Sequence, residues 1–111
     1  MHYYVEQWKP RPEWLALTPE DRGKVLFDLS PAIQGLVDAG IELVGYFVNH
    51  KNGDSPSNFS FLRVWKMPEK EWVQRIADTL EKTGWHEFFE PVNSQGEILT
   101  PQVAIPYLIG L

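Results

Sequence analysis

"SNFSFLRVWKMP", residues 57–68, decides how the chain folds. On an extended strand, Leu62 and Val64 fall on one side and Phe59, Phe61, Arg63 and Trp65 on the other. The aliphatic pair suits a face covered by helices. The aromatic set, with one guanidinium in it, is then expected on the opposite face. Pro68 closes the strand, and the segment behind it places Trp72, Val73, Ile76, Ala77 and Leu80 at helical spacing, with Gly84 as a stop.

Upstream, "IELVGYFVNH" (41–50) is a near-continuous apolar run of strand type, and "KNGDSPSN" (51–58), with Asn52-Gly53 in it, is dense in turn residues. The two strands therefore read as a hairpin. Before them, Thr18 is a helix cap, Pro19 suits the first helical position, and Glu20 and Asp21 put negative charge in the first turn. Val25, Leu26, Leu29, Ala32, Ile33, Leu36 and Val37 continue as one apolar stripe, with Gly40 as its end. Pro31 lies inside the stripe and predicts a kink over 27–31, since its ring removes a backbone bond. Residues 2–8 read as a first strand stopped by Pro10 and Pro12. "WHEFFEPV" (85–92) reads as the fourth strand and "NSQGE" as a turn.

The order is β-α-β-β-α-β, the ferredoxin-like α+β arrangement: a four-stranded antiparallel sheet with two helices on one face. Residues 1–92 form this domain and 93–111 a C-terminal arm, expected to pack on the same domain or across a dimer. The arm ends in "VAIPYLIGL", nine uncharged residues, too few for a membrane-spanning helix of roughly 20 and interrupted by Pro106. Their expected place is against protein.

The composition narrows partners. A chain of 111 residues makes one domain. A net charge of -5, with no cluster of Lys or Arg, argues against nucleic acid and anionic membrane as partners. The absence of cysteine removes disulfides and thiolate chemistry. "MHYYVEQW" has neither the basic start nor the apolar centre of a signal peptide, so a cytoplasmic location is expected and the Asn58-Phe59-Ser60 glycosylation pattern is discounted.

Helices on one face leave the other bare, and a bare aromatic face calls for a partner. A second copy, with sheets packed face to face, is the simplest. The element order, "WLALTPEDR" leading into the first helix, "AGIELVGYF" joining helix to strand and "FLRVWKMPEKEW" joining strand to helix resemble the dimeric α+β barrel superfamily. That group includes antibiotic-biosynthesis-type monooxygenases, muconolactone-isomerase-like proteins, stress-responsive barrel proteins and darcynin-like bacterial proteins. The resemblance covers residues 2–92 and implies a homodimeric barrel. It rests on pattern and topology, so no catalytic residue is carried over from it.

Arg63 is the sharpest candidate. Strand topology puts Glu6 beside it, and a buried charge needs a partner. Three readings follow: a structural Arg63–Glu6 pair; a site in which Tyr4, Glu6, Trp8, Phe61, Arg63 and Trp65 hold the carboxylate, enolate or phenolate of a small aromatic ligand; or an arginine reaching solvent at the sheet edge. His50 and His86 fall at one end of the sheet on opposite edges, and each is a candidate general base. Their spacing supports no metal site, and no cofactor fingerprint is present. Two functions remain: a dimer that binds a small apolar or aromatic molecule or uses the aromatic face as its interface, and a cofactor-independent monooxygenase or isomerase of a small aromatic or enolisable substrate.

Overall fold

The computed structural model describes residues 1–50 and 58–111. The turn expected over residues 51–58, Asn52-Gly53 included, lies outside them apart from Asn58. In chain order the elements are β1 (His2–Pro10), α1 (Pro12–Leu15), α2 (Pro19–Asp38), β2 (Glu42–Val48), β3 (Phe61–Met67), α3 (Trp72–Thr83), α4 (Trp85–Phe88), β4 (Phe89–Glu97) and α5 (Pro101–Ile109). The strands form one sheet in the order β2-β3-β1-β4, and every pairing is antiparallel. This is the ferredoxin-like α+β fold expected from the sequence.

The helix boundaries obey local chemistry. Thr18 Oγ1 accepts a hydrogen bond from the Asp21 N–H at 3.1 Å, the expected cap of α2. Gly40 (φ 111°) and Gly84 (φ 76°) follow α2 and α3 in the left-handed region, where a Cβ is strained. α2 runs through Pro31 as one helix. The carbonyl that Pro31 leaves without its helical donor belongs to Phe27, which is 79% exposed and so lies on the wet side.

The expected facing of the sheet is reversed. Trp65 (0% exposed), Arg63 (1%) and Glu6 (1%) are buried beneath the helices. The core joins Tyr4, Trp8, Trp65 and Met67 to Leu29 and Leu36 of α2 and Ile76 and Leu80 of α3. Leu62 and Val64 lie on the uncovered face with Tyr3, Val5 and Phe47. The reason is volume: two Trp and a Tyr bury far more apolar area than Leu and Val, so the helix layer takes the larger rings. The reversal removes the aromatic face as a dimer interface. The uncovered face is instead mixed: Val5, Leu62, Val64, Tyr3 and Phe47 form its apolar part, and Gln7, Lys66 and Ser94 lie among them.

Two boundaries also move. Trp85–Phe88 is a helical turn, not strand, and β4 continues through Asn93–Glu97, pairing with β1 from Phe89↔Pro10 to Glu97↔His2. The polar "NSQGE" suits an edge strand, whose free backbone groups face water. His2 ties its end, with Nε2 2.8 Å from Gln95 Oε1 and Nδ1 3.1 Å from Glu97 Oε1. The arm therefore begins after Glu97 rather than at 93. Its helix α5 has no buried residue within the chain, so of the two expected placements, on the same domain or across a dimer, the first is not seen here.

Candidate functional site

Arg63 and Glu6 are register partners on β3 and β1, so their side chains leave the sheet together on the helix side. Arg63 Nε donates to Glu6 Oε2 at 2.6 Å, and Trp65 Nε1 donates to the same oxygen at 2.8 Å. One carboxylate oxygen thus anchors a guanidinium and an indole. The contact uses a single guanidinium nitrogen instead of the two-nitrogen fork that arginine often offers a carboxylate.

The guanidinium sits in a ring of aromatics. Its carbon lies 4.4 Å from the Trp8 ring centre, 5.2 Å from Trp65, 5.3 Å from Trp85 and 5.8 Å from Tyr46. Such contacts stabilise a dehydrated cation by about 0.5–2 kcal/mol each. Together with Glu6, they explain why a full charge survives burial. Tyr4, across from Trp65 in the register, stays a neutral phenol: burial, then the Glu6 carboxylate, push its pKa up to about 12 against the opposing pull of Arg63.

Among the described residues three buried donors have no partner: Arg63 Nη2, Trp8 Nε1 and Trp85 Nε1. Each unmade bond costs about 1–3 kcal/mol, and native proteins tolerate few. They cluster around a cleft between α2 and the sheet. Its larger part, about 410 Å³, is walled by Leu26, Leu29, Ser30 and Ile33 of α2 and by Tyr46, Arg63 and Trp85 opposite. A smaller part, about 200 Å³, is walled by Trp8, Trp14, Phe61 and Phe89 and shares Leu26, Tyr46 and Trp85 with the first.

The residues expected to bind ligand all share one face of the sheet, but they divide by role. Arg63 lines the larger cavity; Trp8 and Phe61 line the smaller one. Glu6, Trp65 and Tyr4 line neither and stand behind Arg63. The expected site between two sheets is thus replaced by one between sheet and helix. Arg63 does not reach solvent at a sheet edge, which corrects that reading. His50 follows β2 and His86 lies on α4 rather than on a strand; both are exposed and line neither cavity. Among the described residues no group of three or more His, Asp or Glu is placed to hold a metal ion. Trp85 is the residue the sequence reading missed. The signal was Gly84, whose left-handed turn starts a new element and drops the next aromatic into the core.

Over residues 1–111 the sequence matches a family described as being of unknown function, DUF6616. The chain belongs to that family. Among curated proteins, none matches it. Its fold is similar to that of a protein named only provisionally as a chlorite dismutase, TA0507 (TM-score 0.66, 13% identity, 89% of this chain and 44% of that one). The chain therefore spans less than half of that protein. It is also similar to a dimeric ferredoxin-like protein of unknown function from Bacteroides fragilis (TM-score 0.56, 15% identity, 87% and 95%). A further dimeric ferredoxin-like protein of unknown function, from Thermobifida fusca, gives TM-score 0.52 and 15% identity over 87% and 90%. At such identities the likeness concerns the fold. No described helix is long and apolar enough to cross a membrane.

Proposed function

We propose that the chain binds a small aromatic molecule carrying an anionic oxygen, a carboxylate, enolate or phenolate, in the cleft between α2 and the sheet. One observation carries this reading: Arg63 is a buried cation on the wall of a cavity, and one of its nitrogens has no partner. Glu6 neutralises the charge but takes only Nε, so the guanidinium keeps donor capacity for an incoming oxygen. A cavity of this size, mostly apolar with one convergent charge, is of the kind that holds small ligands.

The test is calorimetric titration with benzoate and with phenol at a pH that ionises it. Because Arg63→Met alone strands Glu6, the comparison is with the double variant Glu6→Gln/Arg63→Met. Binding to the wild type that falls at least tenfold in the double variant supports the site. Equal binding to both removes it.

The monooxygenase or isomerase alternative would use the same cleft, with Arg63 holding an enolate. It needs a proton acceptor there, and the two candidates, His50 and His86, are exposed and away from the cavity walls. Binding without turnover is the reading kept.

The same proposal includes a homodimer. The uncovered sheet face, with Tyr3, Val5, Phe47, Leu62 and Val64, and the uncharged arm with its exposed helix would both be covered by a second copy. The two similar proteins of unknown function were solved as dimers. Light scattering that returns a monomer at micromolar concentration ends this part, and removal of residues 98–111 is expected to weaken the dimer.

A further inference from the structure

We infer that the cleft has two compartments and takes an elongated ligand, anionic at Arg63 and flat, uncharged and fused-ring at the tryptophan end. This rests on the binding reading above and specifies it. The larger cavity contains the charge and the polar groups of Ser30 and Gln34. The smaller has aromatic walls and no charged residue, and the two share Leu26, Tyr46 and Trp85 as common walls. A single-ring carboxylate seated at Arg63 leaves the second compartment empty; a fused-ring one reaches it.

The walls of the second compartment are rings packed on one another. Trp85 stacks on Phe89 with ring centres 4.4 Å apart and meets Trp8 edge-on at 4.8 Å, while Trp14 lies 4.8 Å from Phe89. Rings locked against each other in this way favour a flat occupant over a bulky aliphatic one. The walls of this compartment are almost wholly apolar, which matches an uncharged ring better than a second anion, whose dehydration they cannot offset.

The experiment compares benzoate and 2-naphthoate by calorimetry, with quenching of tryptophan fluorescence as a second readout. Expected is a naphthoate affinity at least tenfold above benzoate, which is about 1.4 kcal/mol. The Phe61→Trp variant adds bulk to a half-exposed wall of the smaller compartment and should collapse the naphthoate-to-benzoate ratio to threefold or less. Benzoate binding as tightly as naphthoate, or an unchanged ratio in Phe61→Trp, overturns the two-compartment arrangement while leaving the Arg63 site intact. Uncharged naphthalene binding as well as 2-naphthoate, or no binding by any carboxylate, removes the underlying site as well.

Discussion

The two faces of this sheet solve opposite problems with neighbouring residues of the same strands. On β1, Tyr4, Glu6 and Trp8 go under the helices while Tyr3, Val5 and Gln7 stay outside; on β3, Arg63 and Trp65 go under while Leu62 and Val64 stay out. The covered face holds the fold's buried ion pair and its large rings, and there each polar group acts in a low dielectric where geometry counts heavily. The outer face is chemically plain and half-exposed. The lesson is that the specific chemistry of this chain lies beneath the helices, and the outer face is the one left for the association proposed above.

The strongest way to break this contrast is Arg63→Ala. Leaving Glu6 charged and alone in the core is expected to cost about 3–5 kcal/mol in urea unfolding. The double variant Glu6→Gln/Arg63→Met should recover much of that loss. A double variant no more stable than Arg63→Ala would mean that the pair is not the structural unit described here. A second test titrates the inner face. Tyr4 is held neutral to a pKa of about 12 in the fold, whereas the unfolded chain releases that proton near the ordinary phenol value of about 10. Between those values the native state binds the extra proton, so stability falls as pH rises, by about 2–3 kcal/mol in all. Tyr4→Phe should abolish that slope in unfolding curves taken from pH 9 to 12.

Trp65→Phe removes the indole bond to Glu6 while keeping the ring, with an expected loss of about 1.5–3 kcal/mol by thermal unfolding. The smallest effect should come from outside. Val64→Thr is expected to change subunit stability by about 0.5 kcal/mol or less, as surface substitutions do, and to shift the monomer–dimer balance seen by sedimentation instead. A large loss of subunit stability there would erase the distinction between the faces.

The sequence was legible where one local rule decided the outcome. Thr18-Pro19 starts α2 and Gly40 and Gly84 end helices because capping and left-handed geometry depend on a few adjacent atoms. The pairing of Glu6 with Arg63 also followed, because strand topology sets the register and a buried cation requires an anion. Facing did not follow from alternation alone. Period-two patterning states that Arg63 and Val64 part company but not which one meets the helices, and both sets here are apolar enough for either side. Trp85 was hidden for a related reason: "WHEFF" has the composition of a strand, and only the turn at Gly84 and the packing on Phe89 make its start helical.

The single-nitrogen anchoring of Arg63 has a thermodynamic consequence. Folding has already stripped the guanidinium of most of its hydration, and Glu6 and the surrounding rings fix its plane before any ligand arrives. In the proposed site an incoming oxygen would therefore meet a donor with little water to shed and no rotamer to freeze. Association should release heat and depend only weakly on ionic strength, in contrast to capture by a surface arginine, which added salt screens away.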